Sequence, residues 1–347
     1  MKNRWKYGMI AMSLMLVTLL SGCGKDGKVI FTGSFGEDEL FRIGEVSCTL
    51  PEYMVYLTNM QNKYESALGE QIWDVKFENT TLEENIKDVA LANIAQIKSV
   101  YLLAEEKEVE LTPEEKNLVE KAAKEYFGSL SDTERNALKV SEDDIFRLYK
   151  EYALAHKVYE AIVAEVNPEI SDDEARTITV EQIYIRTYTE DIAGNRIEYS
   201  EATKEQRLET MQELYELLVS GEKDFTELAG KYSEAEEVRY SFKKGEVLAE
   251  IEEVAFNMQT DEISQVIVCD DGYYILKCIS TLDRDQTDAN KLEIIEKRRQ
   301  EAFAKEYDAF VNTLARKLNE NLWEEVELIH NAGVSTSNFF EIYEKYF

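Results

Sequence analysis

Residues 263–280 read ISQVIVCDDGYYILKCIS. Two runs rich in β-branched and aromatic residues flank Asp270, Asp271 and Gly272, and an Asp-Asp-Gly cluster is a turn signal, so the stretch reads as a β-hairpin. Upstream, residues 178–188, ITVEQIYIRTY, have the same strand-like composition. Between the two lie helical patterns. Residues 201–219 place Leu208, Met211, Leu214, Tyr215 and Leu218 on one face, residues 225–232 follow, and a short third helix spans about 250–257. The order strand, helix, helix, loop, helix, strand, strand describes an α+β unit of roughly a hundred residues.

Helical signals flank this unit on both sides. TLPE at 49–52, TLEE at 81–84 and TPEE at 112–115 have the capping-box form, in which a threonine hydroxyl and a glutamate carboxylate satisfy free N–H groups reciprocally. Ser141 to Asp144 is a shorter-armed version. Behind Thr81, Ile86, Ala90, Ile94, Ile97, Tyr101 and Ala104 keep helical spacing; behind Ser141, Phe146, Tyr149, Tyr152, Ala153, Val158 and Ile162 do so more loosely. Pro168 closes this run. A long charged helix is expected from about Thr287 to Leu318, with Ile294, Phe303, Phe310 and Leu314 on its apolar face. It is longer than a small α+β unit can cover, so it is expected to pack back on the N-terminal helices, which makes the α+β unit an insertion in a helical module. The tail VSTSNFFEIYEKYF, residues 334–347, reads as a docked short helix or a flexible end.

The first residues read as a targeting signal. Lys2, Arg4 and Lys6 precede an apolar stretch from Met9 to Leu20 that is too short for a normal membrane span. LSGC at 20–23 then resembles a lipobox, which implies cleavage before Cys23 and lipidation of that cysteine. The acyl chains would tether the protein to the outer face of a bacterial cell membrane. The expected organisation is a signal peptide over 1–22, a tether and extended segment over 23–48, a first helical part over 49–170, the α+β unit over 175–282, and a returning helix and tail over 283–347.

The formal net charge is −31 and moves to about −34 once the signal is removed. Such a chain lacks the basic face that nucleic acid requires. Its acidity favours solubility and self-repulsion. Cys48, Cys269 and Cys278 form no CxxC pair; they read as buried apolar residues, with a disulfide among them as the alternative outside the cytoplasm. His156 and His330 are far apart and have no neighbouring Cys, so neither zinc nor a Ser-His-Asp centre is expected. No cofactor is implied.

Three pieces in order resemble the parvulin family of peptidyl-prolyl isomerases. FTELAGKYS at 225–233 is similar to the family's F-x-x-L-A-x-x-Y-S helix. SFKKGEVLAEIEEVAF at 241–256 resembles its F-x-x-G followed by F-E-x-A-A-F. DEISQVIVCDDGYYILKC at 261–278 resembles its G-E-I-S-x-P-V, turn, G-Y-H-I-I-K-V ending. With the lipobox and split helical flanks, the whole resembles the PrsA-type foldase lipoproteins, whose helical module is similar to that of SurA-type chaperones. The resemblance implies an extracytoplasmic protein that assists folding of exported polypeptides, with unfolded or partly folded chains as partners; a homodimer through the helical domain is left open by the sequence.

The departures from the family pattern bear on catalysis. Gln182 and Tyr274 stand where the family has histidines, and the two are expected to face one another across the sheet. Ala235 falls near the acid or thiol position, and Asp271 where serine or threonine is frequent. Val247 and Ile251 fall where Met and Phe often line the proline pocket, with Tyr184 and Phe242 as further pocket candidates. Rotation about X-Pro faces a barrier of about 18–20 kcal/mol from amide resonance. Lowering it takes an apolar slot and polar groups that favour the twisted amide over the planar one. The changed positions imply a retained fold with weakened catalysis. An active isomerase using Tyr184, Ser241 or Asp271 is the first alternative. A solute-binding lipoprotein is the second, against which stands the lack of an alternating βαβ series.

Overall fold

The computed structural model describes residues 35–77 and 80–347. The signal peptide and Cys23 lie outside the described residues. Two compact units result: one takes in the described residues up to Val166 together with Arg299–Phe347, the other is Asn167–Arg298. The fold is mixed helix and sheet, and every strand pair among the described residues is antiparallel.

The first unit opens with β1 (Glu39–Ile43) and β2 (Val46–Thr49), joined by a two-residue turn with Gly44 at φ 53°. The sequence reading places residues 39–48 in the tether and extended segment, without foreseeing that they pair as strands. Leu40, Phe41, Ile43 and Cys48 are instead all buried, because an unpaired tether would leave that apolar surface in water. Five helices follow: α1 (Leu50–Leu68), α2 (Leu82–Glu106), α3 (Pro113–Ser129), α4 (Asp132–Leu138) and α5 (Glu142–Ala164). Each starts with a complete capping box, on Thr49, Thr81, Thr112, Ser131 and Ser141 respectively. A cap of this kind stabilises its helix by about 1 kcal/mol. The α2 residues Ile86, Ala90, Ile94 and Ile97 are buried in the spacing the sequence predicts.

At the centre of this unit Lys98 of α2 is fully buried. Its Nζ lies 2.8 and 3.0 Å from the Glu151 carboxylate on α5 and 3.4 Å from Glu52 Oε2 on α1. Arg147 Nε donates to Glu52 Oε1 at 2.6 Å from the rim. One ammonium thus ties three helices together.

The second unit holds β3 (Thr177–Arg186), a hairpin of β4 (Tyr188–Glu190) and β5 (Arg196–Glu198), α6 (Glu201–Val219), α7 (Phe225–Tyr232), β6 (Arg239–Lys243), α8 (Ala249–Ala255), β7 (Ile267–Cys269) and β8 (Gly272–Asp283). Its four-stranded sheet has the order β6-β3-β8-β7. The predicted loop between α7 and α8 therefore contains an edge strand, and the β4–β5 hairpin is an addition to the expected element order. Strand alternation gives the sheet two apolar faces. Ile183, Ile185, Tyr273 and Ile275 pack on Met211 and Leu214 of α6 and on Phe225 and Leu228 of α7. Val180, Tyr184, Tyr274 and Leu276 face Phe242, Ile251 and Phe256.

The long helix α9 runs from Arg284 to Val311, shorter than the predicted 287–318 at its C-terminal end. Arg316 Nη2 caps it by donating to the Val311 carbonyl at 3.0 Å. Residues Arg316–Leu318 form β9 and pair with β1, Phe41 opposite Leu318. Backbone pairing to β1 thus replaces the last helical turns. A final helix α10 (Phe339–Tyr346) is docked, with Phe339 and Tyr343 buried in the first unit's core.

Candidate functional site

The candidate site is the face of the β6-β3-β8-β7 sheet that carries Tyr184 and Tyr274. Register places these two residues opposite each other, and their rings stack with centroids 4.6 Å apart and planes 22° apart. Gln182 is opposite Leu276, so the expected face-to-face pair of Gln182 and Tyr274 does not form. They share the face but stand two residues out of register, and each satisfies its polar group elsewhere. Gln182 Nε2 donates to the Glu237 carbonyl at 2.8 Å. Tyr274 donates its hydroxyl to Asp271 Oδ2 at 2.7 Å, and the Tyr184 hydroxyl donates to the Asp271 carbonyl at 3.0 Å. Asp271 Oδ1 is buried with no hydrogen-bond partner.

Gly272 makes this geometry possible. A Cβ there would lie 2.4 Å from Tyr184 Cε2 and 2.5 Å from the Ile185 carbonyl oxygen. Only a residue without a side chain lets β8 begin against the Tyr184 ring.

Ala235 sits on a loop bolted to β3. Ser233 Oγ accepts from the Tyr184 amide at 3.1 Å, and the Glu234 amide donates to the Tyr184 carbonyl at 2.7 Å. The Glu234 carboxylate beside Ala235 accepts from the Arg186 amide and from Arg207 Nη1, both at 2.9 Å. Ala235 itself packs its methyl on the Tyr184–Tyr274 face.

The pocket candidates Tyr184, Phe242, Val247 and Ile251 all belong to one apolar cluster. Phe242 and Ile251 are each only 3% exposed and act as floor; Val247 is half-buried and available at the surface. The sequence reading missed Tyr240, whose ring stacks on Phe242 at 5.2 Å. Tyr240 escaped because residues 239–243 read as a loop; on the strand they form, Tyr240 and Phe242 are two apart and so share a face. The sequence reading also missed Leu248, an exposed apolar side chain next to Val247.

Burial, and next the bond to the Asp271 carboxylate, pushes the Tyr274 phenol well above its ordinary range. Burial raises Tyr184 as well, and pushes the Cys269 thiol to about 12. The face therefore presents neutral donors and no thiolate at physiological pH. All three described cysteines are free and buried. His156 is buried in the helical unit, which lowers its pKa. Among the described residues no group of three or more His, Cys, Asp and Glu could hold a metal ion, and no helix is long and apolar enough to cross a membrane.

Residues 188–280 match the family model of the PPIC-type PPIase domain, the rotamase family. The chain carries a parvulin-type domain. The central strand β3, which holds Gln182 and Tyr184, precedes the matched range. The chain is 27% identical over 217 residues to the foldase protein PrsA of Halalkalibacterium halodurans, covering 60% of this chain and 62% of that one. The aligned part thus spans under two thirds of that relative. Among solved structures, the peptidylprolyl isomerase PrsA of Bacillus cereus is similar at 19% identity and a TM-score of 0.35, covering 78% of this chain and 98% of that one. A SurA-like chaperone structure from Campylobacter jejuni is similar at 12% identity and a TM-score of 0.28, covering 81% and 98%. The resemblance to PrsA-type foldases drawn from the sequence motifs is borne out.

Proposed function

We propose that the protein is an extracytoplasmic foldase, tethered through a lipid on Cys23, that holds exported polypeptides while they fold and whose parvulin-type domain isomerises X-Pro bonds weakly. The observation that carries the catalytic part is the state of the polar groups on the sheet face. Gln182 is committed to the Glu237 carbonyl, Tyr274 to the carboxylate of its own turn, and Ala235 offers none. An isomerase lowers its barrier only by interactions stronger with the twisted amide than with the planar one. Donors already engaged by the protein add little of that kind. The foldase role rests on the likeness to the Halalkalibacterium halodurans protein named a foldase.

The mature protein should suppress aggregation of a reduced, unfolded client at near-stoichiometric ratio. Absence of suppression at several-fold molar excess would sink the holding role. A second reading, an active isomerase, is favoured by Asp271 Oδ1, a buried acceptor with no protein partner beside Tyr274. A proline-peptide cis/trans assay separates the two: a rate well above the buffer control selects the second.

A further inference from the structure

The first unit holds its own C-terminal segment in an unusual manner. Residues 326–338, which contain no helix or strand, are held by side chains of α1, α3 and α4, chiefly through their main chain. The Gln61 amide makes a two-way bond to Ile329, donating to its carbonyl and accepting from its N–H, each at 3.1 Å. Asn62 Nδ2 donates to the Thr336 carbonyl at 2.8 Å, and Glu134 Oε1 accepts from the Ser335 amide at 2.9 Å. Asn59 Oδ1 accepts from the Phe339 amide at 3.0 Å while the Tyr149 hydroxyl donates to its carbonyl at 2.6 Å. Asn59, Gln61 and Asn62 are all buried. Burying such amides is costly unless each polar atom finds a partner. Here the tail's peptide groups supply the partners of Asn59 Oδ1, Gln61 Oε1 and Asn62 Nδ2, while Asn59 Nδ2 is paired within the helices to the Val55 carbonyl and the Tyr126 hydroxyl. The deepest aromatic anchor is Phe339, stacked on Tyr149 at 4.4 Å and set edge-on to Tyr126 at 5.1 Å.

Side-chain amides that read peptide N–H and C=O groups do not read sequence. Any extended polypeptide with an aromatic residue at the right place can satisfy them. We infer that this groove is a peptide-binding site for extended, aromatic-bearing client segments, and that residues 326–340 are its resident occupant, which clients displace. The inference rests on the chaperone reading and gives that reading a site. Occupation by the tail keeps the buried amides paired and the tyrosine cradle covered when no client is present.

Hydrogen exchange on the full chain tests it, with and without excess reduced, carboxymethylated α-lactalbumin as client. Amides of residues 329–345 should lose protection at least tenfold while those of residues 90–104 keep theirs. If the client is kept from aggregating and the tail's exchange does not change, the groove is not the site and the chaperone reading survives. If the client is not held at all, the chaperone reading fails. The second measurement then decides the groove by itself: binding of a fluorescent peptide of residues 329–347 to the full chain and to its Phe339→Ala variant. The variant leaves Tyr126, Tyr149 and the amides in place and loosens only the occupant. It should bind the peptide at least tenfold more tightly than the parent. Equal affinity in a variant with unchanged circular dichroism overturns the inference. Should that variant not fold, the same peptide is added in excess to the parent chain and exchange of the resident tail is followed. Faster exchange of residues 329–345 supports the groove, and unchanged exchange overturns it.

Discussion

Tyr274 stacks on Tyr184 and donates a hydrogen bond from its hydroxyl to the Asp271 carboxylate, three residues back on the same hairpin. The phenol is thereby turned toward its own turn. Placing histidines at positions 182 and 274 should not make catalysis efficient, because the two positions lie out of register, Gln182 opposite Leu276, and Ala235 still lacks a polar group. We expect the Gln182→His, Tyr274→His variant to stay within about twofold of the parent in a proline-peptide cis/trans assay, since preorganised polar groups aimed at the twisted amide are still missing from the face. A tenfold gain would show that the histidine pair alone had been limiting.

Gly272→Ala should destabilise the second unit. Its Cβ would meet the Tyr184 ring at 2.4 Å and a carbonyl at 2.5 Å, and the backbone contact cannot swing away. A cost of about 2–3 kcal/mol is expected for this overpacking. Thermal unfolding should show it, with the stacked tyrosine pair reporting in near-ultraviolet circular dichroism.

Lys98→Met should be among the most damaging single changes in the first unit. It keeps the side-chain volume but leaves Glu52 and Glu151 buried without their shared cation. Removing one partner of such a group costs about 3–5 kcal/mol. The triple change that also replaces both glutamates by glutamine and methionine should recover part of the loss in urea unfolding.

Glu39 sets an acid limit. The Arg42 guanidinium, with Nε at 2.6 Å, holds its carboxyl down, the Ser47 hydroxyl and the Gly36 amide adding to this, so that it titrates at about 2 instead of 4.5. The unfolded chain therefore takes up this proton first as pH falls. The stability it contributes is complete above pH 4.5 and is lost between 4.5 and 2. With Arg42 partly exposed and screened, about 1 kcal/mol is expected. Glu39→Gln should flatten the unfolding profile in that window and lower stability at pH 7.

What was legible in the sequence was local. The capping boxes on Thr49, Thr81, Thr112 and Ser141 name their helix starts because both partners lie within four residues. The hairpin around Asp270 and Asp271 announces itself by its turn. What escaped was set by distant partners. Arg239–Lys243 looks like a loop because an edge strand carries charge on its outward side. Arg316–Leu318 becomes a strand only because β1 is there to pair with it. At the candidate site the residue types were legible but their register was not: which residue faces Tyr274 depends on where β8 meets β3, and Gly272 fixes that through a contact with a ring 88 positions earlier in the chain.

The pairing of β9 with β1 also imposes a timetable. Residues 167–298 are continuous, so the parvulin-type unit can fold once they have emerged. The helical unit cannot complete its three-stranded sheet until residues 316–318 arrive, and the tail that covers its tyrosines comes later still. During synthesis its early helices wait with Tyr56, Tyr126 and Tyr149 uncovered by Phe339. A protein read as a nurse for unfinished chains thus spends its own youth as one of them.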